Sequence, residues 1–170
     1  MSDWILPWID FLRWEFVRVR AYEPGKEYNW VKNDTVKLTK LKKPLNKCRC
    51  TFWSDSAARL KSQEPWEIEE TGEFLKDISW KEIPKNSNIH DLICTATWTG
   101  GLDVEEDANL VFPLDRFNEL EKESYIGDLA PVVFSSHGTF RVNALLKDTV
   151  PKAIDRMKKL EIDAVVLLAV

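Results

Sequence analysis

The sequence predicts an α/β protein: a three-layer sandwich with a mostly parallel sheet and an N-terminal Trp-rich helical arm. Helical and strand patterns alternate along the chain, which is typical of crossover connections between parallel strands. The final segment, residues 162–170, is apolar apart from Asp163. Such a run is typical of a strand buried on both faces of a parallel sheet, so we expect a helix to lead into a buried last strand.

The arm is predicted from the first twenty residues, which have the pattern of an amphipathic helix. Asp3 is the expected N-cap, and the apolar residues that share one face are Trp4, Trp8, Phe11 and Leu12. This face covers either the protein's own sheet or a partner subunit, and both interpretations stay open. Residues 26–47 are polar and carry seven lysines, which favours a solvated linker over an anion site. We therefore divide the chain into an arm with its linker, residues 1–40, and one domain, residues 41–170.

Three strands are predicted before the last one. They cover residues 48–54, 92–98 and 131–135, and shorter ordered pieces are expected near residues 65–68 and 78–84. Two helices complete the pattern. One begins at Pro113 and runs to about Lys122, and Thr149 caps the other. The second helix is expected to bury one stripe of side chains: Val150, Ala153, Ile154, Met157 and Leu160.

Length, charge and composition exclude several classes of protein. A chain of 170 residues is long enough for one domain with a core of its own, and its net charge of −4 gives no reason to expect nucleic acid. It contains no apolar run of membrane-spanning length, and its first residues lack the features of a signal peptide. Three cysteines do not form a disulfide framework. We therefore expect a cytoplasmic protein without a membrane or nucleic-acid partner.

The predicted binding site lies at the ends of the strands. In open α/β sheets, ligands bind in the crevice beyond the carboxyl ends of the strands. Hydroxyl groups and backbone N–H groups at such ends suit the carboxylate of a small substrate. The substrate-binding residues that we expect are those that follow the three predicted strands: Ser54, Ser56, Thr97, Thr99, Asp103, Ser135 and His137.

Other chemistries find less support. His137 could act in acid–base chemistry, but a serine hydrolase lacks its G-x-S-x-G turn here. Cys48 and Cys50 would point to one face of a strand, yet further ligands at zinc-site spacing are missing, so we predict buried thiols and no metal. Neither a dinucleotide fingerprint nor a P-loop occurs. The acidic run between Asp103 and Asp107 lacks the spacing of a calcium loop and is expected to be solvated.

One combination of segments resembles a known family. Residues 107–117 read DANLVFPLDRF, residues 126–131 read IGDLAP, and a helical pattern leads into IDAVVL at residues 162–167. Together these segments resemble the selenoprotein B family of glycine, sarcosine, betaine and D-proline reductases, with a likeness that spans about residues 40–170.

The resemblance implies a subunit of a cytosolic reductase that cleaves a C–N bond of a small amino acid or betaine. In that family a selenocysteine or cysteine follows the last strand described above. A partner subunit carries the pyruvoyl group that activates the amine, so no cofactor is expected in this chain, and a thioredoxin-like dithiol supplies electrons. A selenolate or thiolate at a strand-to-helix turn is stabilised by the helix N-terminus, which keeps it nucleophilic.

The sequence also departs from the family pattern. It ends at Val170, where the nucleophile would follow, and it has Ser56-Ala57 where the family commonly has glycine. We expect a chain that stops at a UGA codon read as a stop and does not turn over as given. The alternatives are a non-catalytic binding or assembly subunit and, more distantly, a stand-alone hydrolase. A homo-oligomer stays open.

Overall fold

The structure, a computed structural model, describes residues 39–67, 77–95, 104, 106–138 and 142–169. The Trp-rich arm predicted for the first residues lies outside these ranges. The predicted division at residues 40 and 41 stays a prediction.

The main sheet has five strands and is mixed but mostly parallel, which confirms the α/β prediction. In parallel register, β1 pairs with β5, β6 and β7, whereas β3 pairs with β6 in antiparallel register. The strands are β1 (Arg49–Ser54), β3 (Trp80–Pro84), β5 (Asp128–Leu129), β6 (Val132–Ser136) and β7 (Ala164–Leu168).

The pairings place β1 at the centre and β7 at an edge. Both β6 and β7 pair with Trp53 and Ser54, so these two strands lie on opposite sides of β1. The same reasoning applies at Cys50, which pairs with β5 and with β7. Consequently β5 and β6 follow one another along one side of β1, and β7 takes the other side.

A separate two-stranded antiparallel sheet consists of β2 (Ala58–Leu60) and β4 (Leu92–Cys94). From its sequence pattern, the strand predicted at residues 92–98 was expected to join the parallel sheet. The described part of this strand, β4, does not join the parallel sheet. It pairs instead with β2, which directly follows β1 along the chain. The alternating residues of β3, in contrast, form a full strand of the main sheet, where the sequence indicated only a short ordered piece.

Helix α1 (Leu114–Lys122) covers one face of the sheet, and its bounds agree with the prediction. It buries Leu114 and Phe117, and the ring centroid of Phe117 lies 4.7 Å from that of Phe52 on β1. Phe52 also meets Phe112 edge to face, with centroids 4.9 Å apart. This aromatic cluster is the centre of the hydrophobic core, to which Ile83 of β3 also belongs.

Helix α2 (Val150–Lys159) is joined to the opposite face. Its Arg156 donates two hydrogen bonds of 2.8 Å to the carboxylate of Glu82. Because neighbouring side chains of a strand point to opposite faces, Glu82 faces away from the core residue Ile83. The helix pair therefore contacts the sheet from two sides.

The start of α2 differs from the prediction. Thr149 does not cap the helix: its backbone is helical, and its hydroxyl donates to the carbonyl of Ile78 at 2.6 Å. The helical turn Val142–Ala144 and the π-helical segment Leu145–Thr149 precede α2, so the helical backbone begins earlier than the sequence indicated.

The predicted buried stripe of α2 is wrong in part. Val150 and Ile154 are exposed, Met157 and Leu160 are partly buried, and only Ala153 of the predicted set is buried. The amphipathic pattern predicted the helix correctly but not the extent to which the described chain covers its apolar face.

The prediction that the last strand is buried on both faces is also wrong. Val165, Val166 and Leu167 are exposed, and Leu167 retains 77% of its accessible surface. Within the described residues β7 has β1 as its one neighbouring strand, so its apolar side chains have less to pack against than those of a central strand.

Charged side chains join the amino ends of three parallel strands. The backbone N–H of Arg49 donates to Asp163 at 2.7 Å, and the Arg49 guanidinium donates to Asp128 at 2.8 Å. Lys43 pairs with the same Asp163 carboxylate at 2.7 Å. These contacts lie at the end of the sheet opposite to the predicted binding site. Among the described residues, every helix is too short or too polar to cross a membrane.

Candidate strand-end site

The carboxyl ends of β1, β6 and β7 meet at one edge of the sheet because the three strands run parallel. Ser54 is paired with Ser135 on one side and with Leu168 on the other. The backbone N–H of Asp55, the first residue beyond β1, donates to the carbonyl of Leu168 at 3.2 Å. The chain that leaves β7 is therefore directed to the same place as the segment that follows β1.

Beyond β1 the backbone folds across the end of β6. Ser56 forms an antiparallel bridge with His137, and the N–H of Ala57 donates to the carbonyl of Ser136 at 2.9 Å. Ala57 has a φ of 51°, in the left-handed region that favours glycine. The position at which the resemblance expects a glycine is thus one where the backbone is strained for alanine.

Ser54 is fully buried, and its hydroxyl forms two hydrogen bonds within the protein. It donates to the carbonyl of Val111 at 2.7 Å and accepts the N–H of Ser56 at 3.2 Å. These two bonds hold the turn after β1 against the segment that precedes α1. The geometry therefore gives Ser54 a part in shaping the edge, and its contact with a substrate stays a prediction.

Ser56 and Ser135 differ from Ser54 in one respect. Both are fully buried, yet neither hydroxyl has a hydrogen-bond partner within the part of the chain that the structure describes. Buried polar atoms are nearly always hydrogen-bonded, so each unpartnered hydroxyl requires an explanation.

His137 is buried with 4% of its surface exposed, directly after β6. Its Nδ1 lies 2.7 Å from the carbonyl oxygen of Gly138. A carbonyl oxygen only accepts hydrogen bonds, so Nδ1 carries the proton, and in the neutral ring Nε2 is the acceptor. Sequence reasoning placed His137 correctly at a strand end, and its role in binding stays a prediction.

Lys81 of β3 belongs to this edge and was missed by the sequence analysis. It is the antiparallel partner of Ser135, and its Nζ lies 4.5 Å from the centroid of the Trp66 ring. The fully buried Trp66 is fixed in turn by a 2.8 Å hydrogen bond from its Nε1 to the carbonyl of Ala57. The alternating pattern of residues 79–83 indicates a strand. Pairing of that strand with β6 would have placed Lys81 at this edge.

The described cysteines do not serve as nucleophiles in this arrangement. Cys48 and Cys50 are buried in the core, as predicted, and burial raises the pKa of the Cys50 thiol to about 11. Burial likewise raises the pKa of Cys94 to about 11. Thiols with such pKa values stay protonated near neutral pH and are therefore poor nucleophiles. No three His, Cys, Asp or Glu side chains within the described ranges lie together as metal ligands.

Three predicted binding residues lie outside the described residues: Thr97, Thr99 and Asp103. Val170, which precedes the expected position of the nucleophile, also lies outside them. The structure thus brings together Ser54, Ser56, Ser135 and His137 from the predicted set.

The second half of the chain is similar to a known protein family. The family model for glycine/sarcosine/betaine reductase selenoprotein B matches residues 87–170. This confirms the resemblance drawn from the sequence, because the second half of the chain is similar to the selenoprotein B family.

A curated relative is the D-proline reductase subunit gamma of Acetoanaerobium sticklandii. It is 30% identical over 94 residues, which are 55% of this chain and 39% of the relative. The aligned part of the chain thus spans well under half the length of that relative. No solved structure matches the chain.

Proposed function

We propose that the chain is a selenoprotein B-like subunit of a glycine, sarcosine, betaine or D-proline reductase complex in the cytoplasm. It would take part in the reductive cleavage of a C–N bond of a small amino acid or betaine. The observation that carries the proposal is the position of β7, whose carboxyl end lies beside Asp55 at the edge where β1 and β6 also end. The family match over residues 87–170, which contain β6 and β7, supports it.

The overall reaction has a simple balance. The C–N bond of the substrate breaks and a C–H bond forms. The amine leaves from glycine, sarcosine or betaine, whereas in D-proline it stays attached and the ring opens. A dithiol of the thioredoxin kind supplies two electrons and two protons and becomes a disulfide. A pyruvoyl group on a partner subunit would supply the carbonyl that holds the substrate amine.

The nucleophile of this proposal is a selenocysteine or cysteine that follows Val170. Since the Asp55 N–H holds the carbonyl of Leu168 at 3.2 Å, a residue shortly after β7 would be directed to the strand-end site. If a helix begins there, its N-terminal N–H groups and dipole would favour the anionic selenolate. Desolvation raises the pKa of Cys50 and of Cys94, and Cys48 is buried in the core, which supports a nucleophile outside the described residues.

The proposal is tested first on the gene. We expect an in-frame TGA codon or a cysteine codon shortly after the codon for Val170, within a continuing open frame. A TAA or TAG codon without a continuing frame would contradict the assignment of the nucleophile.

The second test uses the full-length product, purified with its pyruvoyl-bearing partner and supplied with a dithiol. Turnover is measured as release of the amine from glycine, sarcosine or betaine, and as opening of the ring of D-proline to an open-chain amino acid, and we expect turnover with at least one of them. The matched control replaces the selenocysteine or cysteine by serine and should lose turnover while the complex still assembles. A serine variant with undiminished turnover would contradict the proposal.

The exposed apolar side chains favour a second candidate, a non-catalytic assembly subunit. Leu167 on β7 and Val150 and Ile154 on α2 are exposed, which is unusual for large apolar residues in such number on a monomer. In this case the 170-residue chain would form a stable complex with the partner subunit and bind substrate without reducing it.

A further inference from the structure

Side chains from three segments share one face of the sheet at the strand-end site. Ser135 is paired with Lys81 of β3, and paired residues of neighbouring strands point to the same face. His137 lies two residues after Ser135 and therefore shares that face, and its bridge partner Ser56 lies beside it. Lys81, Ser135, His137 and Ser56 thus surround a common region next to Ser54.

Two hydrogen-bond donors in this region are unused. The hydroxyls of Ser56 and Ser135 are buried and have no partner among the described residues. The neighbouring Ser54 hydroxyl accepts a hydrogen bond from neither of these two hydroxyls. It donates to the carbonyl of Val111 and accepts the N–H of Ser56. Two buried donors that lie close together and lack an acceptor point to an acceptor supplied from outside the chain.

The positive charge in this region is that of Lys81. Lys81 makes no ion pair with any described residue, and its ammonium group rests on the Trp66 ring. The next residue, Glu82, faces the opposite side of the sheet, where Arg156 neutralises it. Lys81 is partly exposed, so its ammonium group is the part of the cluster that an anion would meet first.

We propose that Ser56, Ser135 and Lys81 form a subsite for the carboxylate of a small amino acid or betaine. The two hydroxyls would donate to the carboxylate oxygens and the ammonium group would balance the charge, which is a strong combination for an anion of this size. The inference rests on the proposed function, because the substrates of that function share a carboxylate. His137, whose Nδ1 proton is engaged by Gly138, borders the subsite and is not required to donate to it.

The experiment titrates the full 170-residue chain with acetate and, separately, with acetamide, at constant ionic strength, and follows backbone amide signals by NMR. We expect saturable shifts around Ser135 and Ser56 with acetate and none with acetamide, which has the same shape without the charge. Ser135→Ala and Lys81→Met should each weaken acetate binding at least tenfold. Ser62→Ala and Lys61→Met, at exposed positions outside the subsite, are the matched controls and should bind acetate as the wild type does.

A second measurement keeps the inference testable if a variant is altered in stability. Since the two hydroxyls have no partner among the described residues, Ser135→Ala and Ser56→Ala should leave the melting temperature without acetate unchanged or raise it. Equal binding of acetate and acetamide, unchanged acetate binding by Ser135→Ala, or tighter binding of inorganic phosphate than of acetate would each overturn the subsite.

These outcomes are separable from those of the proposed function. If the complex assembles and cleaves its substrate although the chain alone does not bind acetate, the proposed subsite is contradicted and the proposed function is supported. Selective acetate binding by a chain that never joins a reductase complex would remove the function and leave a carboxylate site.

Discussion

Gly127 stands where the backbone of another segment leaves no room for a side chain. A Cβ atom at this position would lie 2.6 Å from the carbonyl carbon of Lys47 and 2.7 Å from the carbonyl oxygen of Cys48. Backbone atoms cannot yield as a flexible side chain can, so Gly127→Ala should lower the free energy of unfolding by about 2 kcal/mol, as overpacking does elsewhere. Urea unfolding measures the change.

Gly138 provides the matched control for this substitution. Among the described residues, a Cβ atom there would meet the Asp55 carboxylate alone, at 3.9 Å. We expect Gly138→Ala to change stability by less than about 0.5 kcal/mol. Equal losses for the two alanine variants would contradict the assignment of the effect to the close approach at Gly127.

Asp163 makes stability depend on pH at the amino end of the sheet. The Lys43 ammonium and the N–H of Arg49 hold the pKa of this carboxyl below its ordinary value of 3.8. A carboxyl whose pKa is lowered by folding contributes stability above the ordinary value, and this contribution is lost as the pH falls through the lowered one. Asp163→Asn should therefore reduce the loss of stability below pH 3.8.

Melting temperatures of the two proteins over a series of pH values test this. Asp155→Asn, at an exposed position of α2, is the control for the removal of one carboxylate. Parallel acid limbs for wild type and Asp163→Asn would contradict the assignment of the effect to Asp163.

At the scale of elements, the Arg156–Glu82 pair joins α2 to β3. Arg156 lowers the pKa of Glu82, and the two 2.8 Å hydrogen bonds make the pair bidentate. Both side chains are partly exposed, so solvent screens the attraction. A double-mutant cycle with Glu82→Gln and Arg156→Gln should give a coupling energy of about 0.5–1 kcal/mol, measured by urea unfolding. A coupling energy of zero would mean that apolar packing alone holds α2 in place.

Elements with strong local signals were predictable, and those determined by pairing were not. Pro113 and the stripe of Leu114 and Phe117 predicted α1 with its bounds, and the apolar run predicted β7. The exposure of Val166 on β7 was not predictable, because it depends on how many neighbours the strand has. The π-helical segment Leu145–Thr149 also lacks a local signal, since its residues are compatible with an ordinary helix.

At the scale of the whole molecule, the exposure of β7 can be tested by substituting two adjacent leucines. Leu167 is largely exposed, whereas Leu168 is partly buried against the core. Leu167→Lys should change the free energy of unfolding by less than about 0.5 kcal/mol, and Leu168→Lys should lower it by about 2 kcal/mol.

The same pair reports on association. If chains associate through the free side of β7, light scattering at rising concentration should show less association for Leu167→Lys than for the wild type, because a charge on an exposed strand opposes pairing. Unchanged association would mean that β7 is not the surface through which chains meet.

The location of the candidate site was predictable from the sequence, but the hydrogen bonds of its side chains were not. Strand-end reasoning brought Ser54, Ser56, Ser135 and His137 to one edge because parallel strands end together. The state of each hydroxyl was not predictable: Ser54 is satisfied by Val111, which belongs to a segment far away in sequence. Lys81 was missed because its strand is antiparallel and enters the sheet by pairing with β6.

The central position of β1 has a consequence for the order of events during synthesis. Arg49, at its start, is 79 residues from its partner Asp128 and 114 residues from Asp163 beside β7. Contacts this distant in sequence close large loops, so the sheet should form slowly compared with a helical domain of the same size. On the ribosome, β1 emerges long before either neighbour exists. The chain must therefore be made as far as β7 before the central strand can be paired on both sides, and the sheet cannot be completed earlier than that.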